Sequence, residues 1–157
     1  MESRSPTRQN GPFKYDAYLG FGVSDLPKLN LLRDKLEQRS ILCYPKYDAA
    51  NRQQSIKSAI REGVARSKKC LLYVSDSFVD DPYYKYEVDE VLHKASRFSR
   101  DMVIVVVDPE VVMPAKLVSC TAVIYAVLDD STLTDPSFLH KLTTALTTGT
   151  CMLIHHY

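Results

Sequence analysis

A chain of 157 residues is long enough to bury a single core holding about 70% of its unfolded surface, with no need of disulfides or metals. An apolar share of 45%, a charged share of 25% and a formal net charge of +1 are those of an ordinary globular protein and give no field strong enough to gather nucleic acid. No apolar run approaches the ~18 residues that would span a bilayer, and Met1-Glu2-Ser3-Arg4 lacks the apolar core of a signal peptide. Glu2 stands where myristoylation needs glycine, and His155-His156-Tyr157 offers no prenylation cysteine. A cytoplasmic location without membrane insertion is therefore expected.

Residues 1–12 are polar and broken by Pro6, Gly11 and Pro12, which predicts a flexible arm. The domain is expected over residues 13–147 and a tail of ambiguous structure over 148–157. From Tyr15 short β-rich runs alternate with helical patterns, the mark of βαβ units around a parallel sheet with helices on both faces. Five strands are predicted: Tyr15 to Phe21, Ser40 to Tyr44, Lys69 to Ser75, Met102 to Val107 and Ala122 to Val127. Runs such as Leu71-Leu72-Tyr73-Val74 and Val103 to Val107 suit burial on both faces. Ser24 or Asp25 opens a first helix with a Leu29, Leu32 and Leu36 stripe. A second runs from about Gln54 to Arg66, with Ile56, Ala59, Ile60 and Val64 inward and the basic Lys57, Arg61 and Arg66 outward. Asp81-Pro82 and Asp135-Pro136 each read as an N-cap followed by proline, starting helices at Pro82 and Pro136. Between Asp108 and Cys120 a short or irregular crossover is expected.

Cys43, Cys70, Cys120 and Cys151 form no C-x-x-C pair, and the four histidines show no liganding pattern, so reduced thiols and no metal site are expected. Asp16, alone in an apolar strand, is expected to satisfy nearby backbone. Alternating βα order at this length fits the flavodoxin-like folds, which host unrelated functions. A phosphoacceptor domain would need an acidic pair where Phe21-Gly22-Val23 stands and a lysine where Val127-Leu128 stands, and five glycines never form G-x-G-x-x-G.

Three segments in order resemble the Toll/interleukin-1 receptor (TIR) family, closest to its animal receptor and adaptor branch. Tyr15-Asp16-Ala17-Tyr18-Leu19 is similar to the family's box 1, and Leu42-Cys43-Tyr44-Pro45-Lys46-Tyr47-Asp48 to the strand and opening of its BB loop, box 2. The stretch from Val74 to Glu87 resembles S-x-x-F-x-x-S-x-W-C-x-x-E, with Tyr83-Tyr84 in place of Trp-Cys, and Phe138-Leu139 stands where box 3 has Phe-Trp. Box 2 departs from the family's R-D-x-x-P-G: Asp48 is followed by Ala49-Ala50-Asn51-Arg52-Gln53, without proline or glycine, so a differently shaped loop is expected.

The resemblance implies a flavodoxin-like TIR fold and a signalling module of innate immunity that works by homotypic TIR–TIR assembly. Lys46, Tyr47, Asp48, Ala49, Ala50, Asn51 and Arg52 of the BB loop would form the partner surface. It also implies an alternative, since some members cleave NAD with a glutamate at the position of Glu87. There the carboxylate would face the ribose as nicotinamide leaves, and Phe21, Gly22, Ser24, Asp25 and Tyr83 would line the NAD cleft; no resident cofactor is needed. On a helix turning ~100° per residue, Tyr84, Val88, Val91, Leu92 and Ala95 form the buried stripe and Glu87 falls roughly 85° from its centre. That geometry predicts a carboxylate on the rim, partly desolvated and still within reach of a ligand.

Overall fold

A computed structural model of the chain describes residues 13–50, 54–120, 122–148 and 155–156, with the side chains of 49–50 and 155–156 left aside. The expected arm over residues 1–12 lies outside these residues, as does most of the expected tail. Five strands form one parallel sheet in the order β1 (Tyr15–Gly20), β2 (Ser67–Val74), β3 (Val103–Val107), β4 (Ala122–Tyr125) and the two-residue β5 (His155–His156). Among the described residues seven helices accompany them: α1 (Leu26–Glu37), α2 (Lys46–Ala50), α3 (Ile56–Arg66), α4 (Asp76–Val79), α5 (Tyr84–Arg97), α6 (Asp130–Leu133) and α7 (Pro136–Thr147).

The period-2 alternation of each strand divides the core in two. Leu19, Leu71, Tyr73, Ile104 and Val106 point to one face, where the Leu29, Leu32 and Leu36 stripe of α1 and Phe138 and Leu142 of α7 cover them. Tyr18, Cys70, Leu72, Val103 and Val105 point to the other, covered by Ile60 and Val64 of α3 and Val88 and Val91 of α5. The irregular crossover expected between Asp108 and Cys120 is a loop with one 3-10 turn at Ala115–Leu117. Asp135 caps α7 by accepting from the Ser137 N–H at 2.9 Å, and Ser55 caps α3 by accepting from the Ser58 N–H at 3.0 Å.

Two expected elements differ. Ser40–Tyr44 is not a full strand: it flanks the free edge of β1 through a single parallel bridge, Ala17 to Cys43. Its start is absorbed by the end of α1, where Ser40 takes a left-handed φ of 68° and the Ile41 N–H reaches back to the Leu36 carbonyl at 3.0 Å. Its far end meets Pro45, which has no N–H to extend a ladder. Asp16 completes this edge by accepting from the Leu42 N–H at 2.8 Å. The second difference is α5, which starts at Tyr84 and not at Pro82. The Asp81 carboxylate accepts from the Tyr83 N–H at 2.8 Å and from the Val23 N–H at 3.1 Å, so it ties a turn to the loop after β1.

Lys94 is a buried cation that nothing in the sequence pattern marks. Its ammonium donates to the carbonyls of Val64 at 2.5 Å, Ala65 at 3.2 Å and Ser67 at 2.5 Å, closing the C-terminus of α3 where the helix dipole favours positive charge.

Candidate functional site

The carboxyl ends of β1 and β2, with α2 and the first turn of α5, enclose Glu87. Expected on the rim, this residue is only 2% exposed. The difference comes from β1: the helical wheel describes α5 against the sheet, whereas the amino end of α5 packs against Gly20. A Cβ on Gly20 would lie 3.2 Å from Glu87 Oε2 and 2.5 Å from Leu72 Cδ2, so the absence of a side chain there makes the room into which the carboxylate turns.

Glu87 Oε2 accepts from the hydroxyl of Tyr18 on β1 and from Lys46 Nζ at 2.7 Å, in a buried ion pair. Tyr18 reaches it because α3 offers Gly63 beneath its ring, where a Cβ would come within 2.7 Å of Tyr18 Cδ1. Lys46 opens α2 and is 4% exposed. Its ammonium lies 4.5 Å from the ring centroid of Phe21, 5.0 Å from that of Tyr47 and 5.5 Å from that of Tyr18. Three aromatic faces and one carboxylate thus surround a single cation.

Burial raises the Glu87 carboxyl above its ordinary pKa, against the opposing pull of the Lys46 charge and of the bonds from Lys46 and Tyr18. Burial, followed by the Glu87 charge, also raises the Tyr18 and Tyr47 phenols. The site therefore holds a carboxylate whose charge is matched internally by a lysine.

The structure distributes the expected site residues unevenly. Phe21 is brought to the site, under Lys46 and 5.6 Å from the Tyr47 ring. Gly22 is buried against Ser77, and Asp25 is turned away to accept from Ser75 Oγ at 2.5 Å, joining the loops after β1 and β2. Ser24 is exposed in the 3-10 turn Val23–Asp25, and Tyr83 stays at the surface, 37% exposed. Of the expected partner surface, Asp48 is exposed and Tyr47 half-buried, whereas the side chain of Lys46 faces inward. Ala49 and Ala50 continue α2, and Asn51 and Arg52 lie outside the described residues.

Tyr18 and Lys46 as partners of Glu87 were beyond sequence reasoning, since they lie 69 and 41 residues away. A cavity of about 150 Å³ opens beside them between α1 and α2, lined by Phe21, Leu26, Asn30, Arg33, Lys46 and Tyr47 among others. It is smaller than the ~300–1,000 Å³ of typical small-molecule sites. Among the described residues no three His, Cys, Asp or Glu side chains gather as a metal would require.

A family model described as the TIR domain matches residues 20–145. The chain belongs to the TIR family. The fold of this TIR domain is similar to that of a metazoan TIR-STING receptor from C. gigas, with a TM-score of 0.70 at 14% identity, covering 90% of this chain and 43% of that one. It is also similar to the TIR domain of the Toll-related receptor TRR-2 from Hydra magnipapillata, with a TM-score of 0.64 at 17% identity, covering 85% of this chain and 99% of that one. The chain thus spans less than half of the C. gigas receptor chain. No curated protein sequence matches it. Membership establishes the fold and leaves the action of the site to be argued from its geometry. No helix among the described residues is long and apolar enough to cross a membrane.

Proposed function

We propose that this TIR domain is a cytoplasmic signalling module of innate immunity that works by homotypic assembly with other TIR domains. The observation that carries the reading is the closed state of the Glu87 site: the carboxylate is paired with Lys46 and sealed from solvent. What remains available is surface, including the exposed Asp48 and half-buried Tyr47 of α2. Substitution of Tyr47 and Asp48 should weaken self-association or capture of other TIR domains while circular dichroism shows an unchanged fold. Binding that survives both substitutions removes α2 from the interface.

A second reading, NAD hydrolysis, is favoured by the cage itself. Three aromatic faces and a carboxylate around one cation, at the carboxyl ends of parallel strands, suit a cationic group, and the pyridinium of NAD is one. With Lys46 displaced, Glu87 would stabilise positive charge developing on the ribose as neutral nicotinamide leaves and water adds in its place. Concentrated or artificially clustered protein, incubated with NAD and assayed for nicotinamide, tests this. Release no greater than that of a Glu87→Gln control rejects it.

A further inference from the structure

At the amino ends of the strands, cations surround an aromatic ring that the fold leaves in water. Lys14 leads into β1, Arg66 ends α3, Lys68 follows on β2, and Arg97 and Arg100 flank the end of α5; all five are exposed. Phe98, between the last two, is 62% exposed. Its ring meets Phe13 edge-on at 6.0 Å, and the buried Lys94 ammonium lies 4.4 Å from the Phe13 centroid and 5.8 Å from that of Phe98. Those contacts hold the rings in place and still leave most of Phe98 uncovered. A groove of about 400 Å³ runs beside them, lined by Phe13, Lys68, Phe98 and Met102 among others, with Asp101 the one acid in its lining. A second groove, of about 280 Å³, shares Lys94 and Phe98 with it and sets Arg61 and Arg97 against Glu90. Glu62 offsets Arg66 at 3.4 Å, whereas Lys68 and Arg97 have no bonding partner among the described residues.

We infer that this face docks the domain on an anionic lipid surface, with the Phe98 ring in the interfacial layer and Lys14, Lys68, Arg97 and Arg100 among the headgroups. Charge complementarity selects that occupant. The cations stand round the ring on long flexible stems, which suits a diffuse negative surface whose charges have no fixed positions. The ring gains by leaving water and needs no matching pocket to do so. Acids gather at the opposite, carboxyl ends of the strands, where Asp76, Asp80, Asp81, Asp129 and Asp130 outnumber Lys28 and Lys85. A net charge of +1 therefore conceals a separation of charge that turns the basic face towards a negative leaflet. Docked in this way, the domain presents α2 and the Glu87 site on the side away from the lipid. One ring lies on the membrane and does not span it, in keeping with the lack of any membrane-crossing helix among the described residues. The inference goes beyond the assembly reading and does not depend on it.

Vesicle flotation of the full chain tests this. The wild type should rise with vesicles of phosphatidylcholine and phosphatidylserine in roughly 2:1 proportion and stay behind with phosphatidylcholine alone. Salt at ~0.5 M, which screens charges beyond a few ångströms, should release it. Each cation beside such a leaflet is worth about fivefold in partitioning, so Lys68→Glu/Arg97→Glu should bind at least about 25-fold more weakly. The chain contains no tryptophan, so Phe98→Trp places a single fluorescent reporter on the face. Its emission should move to the blue on the mixed vesicles and be quenched by acyl chains brominated near the headgroup. Circular dichroism checks that each variant folds; should the charge reversal unfold the domain, the tryptophan reporter decides. A wild-type chain that does not float with the mixed vesicles overturns the inference, as does binding that survives the reversal in a folded domain. Tryptophan emission unchanged by vesicles, with equal capture of the chain by polyglutamate or RNA, assigns the face to soluble polyanions and likewise overturns it. Either failure leaves assembly through α2 standing.

Discussion

Lys46→Met removes the cation from the buried pair and leaves the Glu87 carboxylate with the Tyr18 phenol as its side-chain donor. At 2.7 Å the gross attraction is about 6 kcal/mol at an effective dielectric constant near 20, most of it offset by the desolvation of both charges. Removing one partner keeps the desolvation cost and loses the attraction, so a loss of about 3–5 kcal/mol is expected at pH 8. That is a large share of the ~5–15 kcal/mol that holds a domain together. The penalty should shrink as pH falls. Burial already raises the Glu87 pKa, and without Lys46 it rises further. Between its unfolded and folded pKa values the native state binds the extra proton, so stability declines as pH rises through that window and recovers below it. Urea unfolding of wild type and variant at pH 5 and pH 8 measures both effects. Lys46→Met combined with Glu87→Gln should regain part of the loss, giving a coupling energy of about 2 kcal/mol or more. A Lys46→Met loss under about 1 kcal/mol with no pH dependence would refute the buried pair and mean that α2 stands open in solution.

Gly63→Ala should cost about 1–3 kcal/mol in urea unfolding despite alanine's better helix propensity, because the new methyl would lie 2.6 Å from Tyr44 Cδ2 and 2.7 Å from Tyr18 Cδ1. Lys94→Met should lower stability by about 2–4 kcal/mol, as it strips two buried carbonyls and one part-buried carbonyl of their donor, and a thermal melt unchanged from wild type would contradict the clasp. Burial pushes the Cys43 and Cys70 thiols up to about 12, so both should resist a disulfide reagent at pH 8 until denaturant is added. Peptide mapping that finds either labelled in the native state would place it at the surface.

Where one local rule sufficed, the sequence was readable. The α1 leucines at positions 29, 32 and 36 share a helical face, and Asp135 before Pro136 leaves the backbone a single economical choice, so stripe and start both agree with the structure. Asp81 before Pro82 carries the same local signal and fails, because its carboxylate is also claimed by the Val23 N–H, 58 residues away. Ser40–Tyr44 has a strand's composition but sits between a left-handed helix end and a proline. The amphipathic wheel was right about Val88, Val91 and Ala95 and wrong about Glu87 for one reason: it places residues relative to the sheet under α5 and knows nothing of Gly20 or α2.

Both functional readings make a demand on α2. If assembly uses Tyr47 and Asp48, it grips the helix whose first residue is the plug in the Glu87 site. If NAD is cleaved, that plug must leave first. Should displacing Lys46 cost as little as ~3 kcal/mol, the open form would be under about one molecule in a hundred, and affinity for any ligand of the open site would fall by the same factor. A dilute chain would then look inert towards NAD whatever the capacity of its carboxylate. Contacts that hold α2 outward by the same ~3 kcal/mol would restore that affinity, so assembly and catalysis would be coupled through one lysine. Lys46→Met separates the possibilities: it removes the ion pair that holds the plug, without assembly. Nicotinamide release by the dilute variant, absent from wild type, would make Lys46 the gate, whereas silence from a folded Lys46→Met domain under clustering would leave the Glu87 carboxylate a structural counter-charge only.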